Sequence, residues 1–376
     1  TAPAVYSFKS YPQPGEGVFQ HSPDSRIFTF DKGRFQAWGK VGFGIRANDH
    51  MDSVYNNYGV RYTRLYCDGK LVFASDVNNI PVSCNRMVNS WGDYDHFLHT
   101  KIWFMKSFIE PGNTLPILRA GADRGIINFN QQRDYHLRYV VSDAFGNQTV
   151  KEFTVHGEPQ AIPSVAKPEG GVPLYCKKDN RINADGVRLN IQKGLLAKDG
   201  WLLMRTVPMG NALSMSYSFS KAPYPLFNYA EINIKAKDGI RNPEKLYIAA
   251  RNSAAGGGPS AYCGGIYTNG WVKGRFRELS DIYFLTSDET APLITKMNLD
   301  PRHLFFKITD SGSGLKAYQA SVDGEFILLE FGKNKEVFFC DLTETPVQRT
   351  GKERTLKVSA VDTRDNRREF VTKIKY

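Results

Sequence analysis

Apolar and polar residues alternate with a period of two along much of the chain, in short runs separated by turn residues. The run GVRLNIQKGLL places Val187, Leu189 and Ile191 on one face before a Lys-Gly turn, and AEINIKA repeats the alternation at Ile232 and Ile234. Successive side chains of a β-strand point to opposite faces of a sheet, so this period predicts half-buried strands. The segments KLYIAA and DIYFLTS predict further strands of the same kind.

One stretch of this pattern occurs twice. YGVRYTRLYCDGKLVF covers residues 58–73, and SGLKAYQASVDGEFIL covers residues 313–328. In each copy a glycine is followed, at the same interval of nine residues, by the aspartate of an Asp-Gly pair, Asp68-Gly69 or Asp323-Gly324. An Asp-Gly pair between β-branched and aromatic segments predicts a tight hairpin, because glycine adopts the positive φ that such a turn needs.

The similarity extends on both sides of the hairpin. Upstream, Phe43-Gly-Ile45 corresponds to Phe306-Lys-Ile308, and downstream LRYVVSDAFGN (137–147) corresponds to LKVSAVDTRDN (356–366). A repeat of this kind indicates one supersecondary design used twice. Short alternating strands with regular turns are typical of an antiparallel β-sandwich of immunoglobulin-like type, although the cysteine and tryptophan core pattern of antibody domains is absent.

A proline- and glycine-rich linker, GEPQAIPSVAKPEGGVP, follows the first copy and marks a domain boundary. At 376 residues the chain also exceeds what one hydrophobic core usually holds. We therefore predict an all-β chain of tandem β-sandwich modules, the first with a partly helical insertion. The predicted domains are 1–157 (immunoglobulin-like), 158–287 (a middle β domain) and 288–376 (a second immunoglobulin-like sandwich).

The first copy of the repeat is longer than the second. Asp68 and Leu137 are 69 residues apart, whereas Asp323 and Leu356 are 33 apart, which places an insertion at about residues 80–115. Long loops tend to be kept for function, so the insertion is a predicted binding device. Its polar and aromatic side chains are the candidate contacts for a ligand or partner: Trp91, Tyr94, His96, His99 and Trp103.

Two metal sites can be considered, and both have a favoured alternative. If residues 93–108 were helical, His96 and His99 would lie one turn apart, but zinc needs three or four ligands and only Asp93 or Asp95 could add one. The favoured interpretation is that the aromatic residues of the insertion pack it on the sandwich. Calcium could bind Asp143, Asp310 and Asp362 with Asn147 and Asn366, but such residues more often cap their own turns.

Net charge and cysteine content narrow the class of protein. The formal net charge of +11 predicts a basic surface, which suits an anionic cell-wall polymer. The densest basic clusters, GRFREL and TRDNRRE, lack the interleaved aromatic residues of a nucleic-acid platform, so no nucleic acid is expected. No apolar run is long enough to predict a transmembrane segment.

Among the five cysteines, Cys67 and Cys84 flank the first hairpin and could pair.

The phrases TAPAVYSFKSYP, WGKVGFGIRANDHMD, NSWGDYDHF, SFIEPGNTL and DIYFLTSDETAP, in this order, resemble a known region. It is the non-catalytic C-terminal region of large lysostaphin-type (LytM-like) zinc metalloendopeptidases of Gram-negative bacteria, and the resemblance covers essentially the whole chain. It implies a parent protein with an N-terminal peptidase domain ahead of Thr1. It also implies a location in the cell envelope, in the periplasm or at the outer-membrane or cell surface, with peptidoglycan or another wall glycan as partner.

Peptidases of that family hold zinc through an H-x-x-x-D pair and the second histidine of an H-x-H, and neither spacing occurs here. No catalytic residue, metal ligand or cofactor is therefore expected in this chain, and zinc is expected only in the absent peptidase domain. The leading hypothesis is a non-catalytic accessory region that positions or docks a peptidoglycan metalloendopeptidase at the cell wall. The alternative is a free-standing glycan-binding or adhesive envelope protein. A third hypothesis, a hydrolase using Asp93 and Asp95, has the least support.

Overall fold

The computed structural model of the chain describes residues 2–9, 18–19, 34–50, 56–162, 167–207, 213–219, 225–252, 261–279, 281–297, 303–331 and 336–376. Thr1, where the resemblance places the end of a peptidase domain, lies outside these residues. The chain is all-β, as the alternation predicts, and its α-helices are short. None of the helices in the described ranges is long and apolar enough to cross a membrane.

The first domain is a β-sandwich of two packed sheets. Its strands are β1 (Ala2–Lys9), β2 (Val18–Phe19), β3 (Arg34–Ala37), β4 (Gly39–Arg46), β5 (Asp49–His50), β6 (Asn57–Tyr58), β7 (Tyr62–Cys67), β8 (Lys70–Asp76), β9 (Met105–Lys106), β10 (Leu118–Ala120), β11 (Ile127–Phe129), β12 (Asp134–Ser142) and β13 (Gln148–Gly157). One sheet has the order β11-β4-β1-β2, with β9 paired to β4, and the other the order β10-β8-β7-β12-β13-β3. A short ribbon pairs β5 with β6. Aromatic residues fill the space between the sheets, where Phe43 meets the rings of Phe129 and Phe153.

The insertion of the first domain is partly helical. A 3-10 helix (Val82–Met87) leads into α1 (Val88–Trp91), and α2 (Tyr94–Thr100) follows. A helix over residues 93–108 is therefore wrong beyond Thr100. Lys101 adopts a left-handed conformation with φ 61° and ends α2, and Met105–Lys106 then pairs with Gly44 and Ile45 of β4. Pairing with the sheet satisfies backbone groups that a longer helix would have to satisfy internally.

The middle domain has its own hydrophobic core between two five-stranded sheets. Its strands are β14 (Val172–Leu174), β15 (Asn180–Ala184), β16 (Val187–Ile191), β17 (Gly200–Leu202), β18 (Arg205–Val207), β19 (Ser216–Ser218), β20 (Pro225–Lys235), β21 (Leu246–Asn252), β22 (Ala261–Tyr262), β23 (Ile266–Thr268), β24 (Trp271–Glu278) and β25 (Asp281–Ser287). The sheets have the orders β15-β16-β20-β24-β23 and β18-β19-β25-β21-β22, and β14 pairs with β17. A 3-10 helix spans Pro243–Lys245. The alternation predicted at Val187, Leu189 and Ile191 is confirmed, since all three are buried.

The third domain is a smaller sandwich. Its strands are β26 (Leu293–Met297), β27 (His303–Thr309), β28 (Leu315–Val322), β29 (Glu325–Ile327), β30 (Glu330–Phe331), β31 (Val337–Asp341), β32 (Glu353–Asp362) and β33 (Arg367–Lys375), with a 3-10 helix at Leu342–Glu344. The sheet orders are β26-β27-β31-β30 and β29-β28-β32-β33. The second order matches β8-β7-β12-β13 of the first domain strand for strand, so the sequence repeat is also a structural repeat.

The two predicted hairpin turns have equivalent backbone geometry. Asp68 and Gly69 have φ 49° and 78°, and Asp323 and Gly324 have φ 50° and 89°. Positive φ at both central residues is the mark of a type I′ turn, in which glycine avoids the steric penalty of a Cβ. Each aspartate also accepts a backbone hydrogen bond from the neighbouring strand, from His136 N at 2.9 Å or from Thr355 N at 2.7 Å.

All five cysteines are free thiols: Cys67, Cys84, Cys176, Cys263 and Cys340. The pairing considered for Cys67 and Cys84 is therefore wrong in this structure, because Cys67 ends β7 whereas Cys84 lies in the 3-10 helix of the insertion. Burial, followed by the nearby Asp68 carboxylate, raises the pKa of Cys67 to about 11.

Candidate functional site

The two tryptophans of the insertion pack it onto the sandwich. Trp91 is buried, with 6% of its surface exposed, and its indole N–H donates to the Lys106 carbonyl oxygen at 3.1 Å. Trp103 is half-buried, lies edge-on to Phe97, and covers Gly92, where a Cβ would lie 2.1 Å from the indole ring. The ring of Trp91 is therefore not available for direct ligand contact, and the packing interpretation accounts for both tryptophans.

The other three candidate contacts lie on or beside α2. His96 packs edge-on to Phe104, while His99 is exposed and its Nδ1 is 2.8 Å from the Asp95 carbonyl oxygen. Tyr94 faces the middle domain, where burial and the Glu278 carboxylate raise its pKa. In the described part of the chain, no group of metal ligands forms around His96 and His99. A contact role for Tyr94, His96, His99 and Trp103 stays a prediction.

The insertion also joins the first domain to the middle domain, a role that the sequence did not indicate. Arg86 donates to the Leu226 carbonyl oxygen at 2.9 Å and forms a 2.7 Å ion pair with Glu278. Farther along, the Gly112 N–H donates to the Ala197 carbonyl oxygen at 2.7 Å. A Cβ at Gly112 would lie 1.9 Å from the Leu196 carbonyl oxygen, so only glycine allows this approach.

A buried charge network lies at the same boundary. Glu110 is 4% exposed, and its carboxylate accepts hydrogen bonds from Lys106 at 2.9 Å and Ser90 at 2.6 Å. Lys198 of the middle domain lies 3.9 Å away. Burial alone raises the pKa of Glu110, but the two lysines and the serine outweigh it and hold that pKa below its usual value. The carboxylate therefore stays charged inside the protein.

Asp281 gives this boundary a testable pH dependence. Burial, reinforced by the nearby Glu278 carboxylate, raises the pKa of Asp281 to about 6, above its unfolded value of about 3.9. A raised pKa contributes stability that is present below pH 4 and is lost as the pH rises through 6. The free energy of unfolding of Asp281→Asn does not carry this loss. Between pH 4 and pH 7 we therefore expect the difference between the variant and the wild type to change by about 1 kcal/mol in favour of the variant, a modest value because Asp281 is partly solvated. Urea denaturation across this pH range measures the difference, and a constant difference would contradict the assignment.

A second candidate surface lies on the outward face of the first domain's larger sheet. We call Tyr62, Arg64, Tyr66, Arg119 and Arg138 the arginine face. Residues 62, 64 and 66 alternate with buried neighbours along β7, and register places Arg138 opposite Tyr66 and Ala74 opposite both Arg64 and Arg119. Arg64 and Arg119 are thus two strands apart, about 10 Å at the backbone. A groove of about 360 Å³ lies between them over the small side chain of Ala74.

Aromatic rings hold two of these arginines. The guanidinium of Arg64 lies 5.5 Å from the centre of the Tyr62 ring, and that of Arg138 lies 4.6 Å from the Tyr66 ring. Stacking of this kind restricts a flexible side chain while leaving its N–H donors exposed. Among the described residues, Arg64, Arg119 and Arg138 form no ion pair, whereas neighbouring Arg61 is bound to Asp76 at 2.7 Å. The arrangement offers an anionic ligand three cations, two of which are held by aromatic rings.

The sequence contained a signal for this surface. Tyr62, Arg64 and Tyr66 stand at alternate positions of the predicted strand YTRLYC, so they had to share one face. The contribution of Arg119 and Arg138 could not be foreseen, because it depends on which strands pair with β7 and in what register.

One family model matches the chain. Residues 172–288 match the Zu5-like domain, which corresponds to the middle domain. No curated protein matches the chain.

Three solved structures show low similarity to the chain. The first structure concerns the host cell surface retention of a 1.5-MDa bacterial ice-binding adhesin. It has 10% sequence identity and a TM-score of 0.14, and the match covers 92% of this chain and 93% of the adhesin chain. The second, a Ca²⁺-stabilized adhesin of an Antarctic bacterium, has 11% identity and a TM-score of 0.15, with coverages of 91% and 95%. The third, from Clostridium perfringens ZmpB, contains an M60 catalytic domain with CBM51-1 and CBM51-2 domains. Its identity is 11%, its TM-score is 0.14, and the coverages are 99% and 39%. At these TM-scores the similarity carries no argument about function.

Proposed function

We propose that the chain is a non-catalytic binding protein of the bacterial cell envelope, and that it holds an anionic glycan on the arginine face. The observation that carries this proposal is a set of three arginines without a described ion-pair partner, two of which, Arg64 and Arg119, line a groove of about 360 Å³. The carboxylate of Asp76 also lines this groove, and it is paired with Arg61. A guanidinium group binds a carboxylate or phosphate with two parallel hydrogen bonds, and a sheet face presents such groups at fixed spacing. The net charge of +11 adds a long-range attraction for a polyanion.

The role as an accessory region of a peptidoglycan metalloendopeptidase stays a prediction. A scaffold for such an enzyme and a free-standing adhesive protein would both contact wall polymers. They differ in whether the chain binds the polymer without a peptidase. The match of residues 172–288 to a Zu5-like domain supports a binding or adhesive role better than a peptidase-associated one.

We expect the purified chain to bind polygalacturonate, and to bind its fully methyl-esterified form only weakly, because esterification removes the carboxylates. Combining Arg64→Ala, Arg119→Ala and Arg138→Ala should weaken binding by at least roughly tenfold. Raising the salt concentration should weaken binding of the wild type as well, since exposed charges are screened. Biolayer interferometry with immobilised polymer measures these differences.

The matched control removes three positive charges elsewhere. Arg349, Lys352 and Lys375 are exposed in the third domain, and their combined replacement by alanine changes the net charge equally. If the control weakens binding as much as the arginine-face variant, attraction by net charge explains the result and the site assignment is wrong. Equal binding of the acidic and esterified polymers would contradict the proposed ligand class.

A further inference from the structure

Three carboxylates meet where the middle domain ends and the third domain begins. Asp288 follows β25, Asp310 follows β27 and Asp362 ends β32. One oxygen from each lies within 4.8 Å of the others. Oxygens that bind one calcium ion lie about 2.3–2.6 Å from it, so ligands on opposite sides can be up to about 5 Å apart. The trio therefore has the dimensions of one calcium site.

The charge of this trio is not balanced by a described side chain. Asp288 is 3% exposed and Asp362 is fully buried, yet none of the three aspartates forms an ion pair with a described lysine, arginine or histidine. Lys245 comes near, but its ammonium donates to the Arg364 carbonyl oxygen at 2.7 Å and to Asn366 Oδ1 at 2.6 Å. Carboxylates this close repel one another, and a bound proton or cation would relieve that repulsion.

A buried hydroxyl gives an independent indication of a ligand. Ser313 is 2% exposed, and its Oγ makes no hydrogen bond of acceptable geometry within the described residues. This hydroxyl lies beside the Asp288 carboxyl. Buried polar atoms nearly always form a hydrogen bond or bind a ligand. A buried hydroxyl oxygen without such a partner, beside three carboxylates, is therefore a candidate ligand for a cation. Gly312 keeps this space open, since a Cβ there would lie 2.3 Å from Asp288 Oδ2.

Turn capping explains only part of this arrangement. Asp362 Oδ1 accepts from Arg364 N at 2.8 Å and from Asn366 N at 2.9 Å, which is the capping role favoured from the sequence. Asp143 forms the equivalent turn in the first domain, where its Oδ1 accepts from Asn147 N at 2.9 Å. In the described residues, however, no acidic trio forms around Asp143. Asp288 and Asp310 also accept backbone hydrogen bonds, from Thr290 N at 3.1 Å and from Gly312 N at 3.0 Å. Capping of separate turns does not require the three carboxylates to converge, so their convergence needs a further reason.

We propose that Asp288, Asp310, Asp362 and the Ser313 hydroxyl bind one Ca²⁺ ion at the junction of the middle and third domains. The ligand atoms are all oxygens, which suits a hard cation and not zinc or copper. Backbone N–H groups already orient two of the carboxylates: Ser313 N donates to Asp288 at 2.7 Å, and Gly314 N donates to Asp310 Oδ2 at 2.7 Å. The ion would join a residue that follows the last middle-domain strand to two loops of the third domain.

Isothermal titration of CaCl₂ into the chelator-treated full chain tests this proposal. We expect one site with a dissociation constant of about 10⁻⁴–10⁻³ M, the range of extracellular calcium sites, and weaker binding of Mg²⁺, which requires a smaller octahedral shell. Asp310→Asn retains an oxygen for the Gly312 and Gly314 N–H groups but removes the charge, so it should fold and bind calcium at least roughly tenfold more weakly. Ser313→Ala should also weaken binding.

The matched control is Asp143→Asn, which changes the equivalent turn of the first domain and should leave calcium affinity unchanged. A second readout is the melting temperature of the full chain, which calcium should raise equally in the wild type and in Asp143→Asn, and by less in Asp310→Asn at the same calcium concentration. The proposal is overturned if the wild type shows no calcium binding up to about 10 mM, well above that range. It is also overturned if Asp310→Asn binds as the wild type does, or if Asp143→Asn loses binding equally. None of these outcomes depends on the arginine face.

Discussion

Glu110→Ala is expected to destabilise the folded chain by about 3–5 kcal/mol, because it leaves the ammonium of Lys106 in a buried site without its carboxylate. Lys106 is only 7% exposed and lies in β9. Lys198 of the middle domain loses the same carboxylate, so the boundary between the domains should weaken too. Urea denaturation followed by tryptophan fluorescence measures the loss, since Trp91 lies in the same insertion.

Two further variants separate charge from packing at this position. Combining Lys106→Met with Glu110→Leu removes the 2.9 Å ion pair and leaves Lys198, whose side chain is 19% exposed. This double variant should cost less than Glu110→Ala, since a buried ion pair can often be replaced by apolar side chains. The control, Glu369→Gln, breaks an exposed 2.9 Å pair with Lys357 and should cost no more than about 1 kcal/mol. If Glu110→Ala costs no more than this control, the buried network does not stabilise the boundary.

The effect of Glu110→Ala should also depend on pH. The folded-state pKa of Glu110 lies below its usual value, so the stability that the carboxylate contributes is present at neutral pH. That contribution is lost as the pH falls through the folded-state pKa. The difference between the wild type and the variant should therefore shrink in acid.

Phe43→Ala and Phe306→Ala are each expected to cost about 3–5 kcal/mol, and each should unfold its own domain first. Both rings are fully buried at equivalent positions of the repeat, Phe43 between Phe129 and Phe153 and Phe306 against Phe370. Differential scanning calorimetry should show one transition lowered by at least roughly 10 °C in each variant. The lowered transition should differ between the two, because the two cores are separate clusters of side chains.

The control for both is Phe145→Ala. Phe145 is 92% exposed in a turn of the first domain, so its loss should change stability by no more than about 0.5 kcal/mol. Assigning each transition to a domain requires limited proteolysis at intermediate temperature, with mass spectrometry of the fragments that survive. A uniform shift of every transition in both variants would show that the domains unfold as one unit.

The repeat made much of the fold predictable. Positions such as Asp68-Gly69 and Asp323-Gly324 specify a turn locally, and the alternation at Val187, Leu189 and Ile191 specifies which face is buried. These signals act over a few residues, so they can be interpreted from the sequence without knowledge of tertiary contacts. The third domain then follows from the first by correspondence.

The candidate site was less predictable, because its parts are brought together by pairing over long sequence distances. Tryptophan is a residue type that often contacts ligands, so Trp91 was a candidate contact. In the structure it is buried within the insertion, where Met105–Lys106 pairs with β4. The helix over residues 93–108 that a zinc site would have needed is cut short by the same pairing. Asp288 was not recognised as a partner of Asp310 and Asp362, since only the docking of the third domain on the middle domain places it there.

The free cysteines have a consequence for how the chain tolerates its surroundings. Burial raises the pKa of Cys263 to about 12, and that of Cys340 to about 11, as it does for Cys67. Only the thiolate attacks a disulfide, so these three side chains are almost inert nucleophiles at neutral pH. They should exchange slowly with oxidised glutathione while the protein is folded and rapidly once it unfolds. Their rates of reaction with oxidised glutathione can therefore report local opening in each of the three domains without any introduced cysteine.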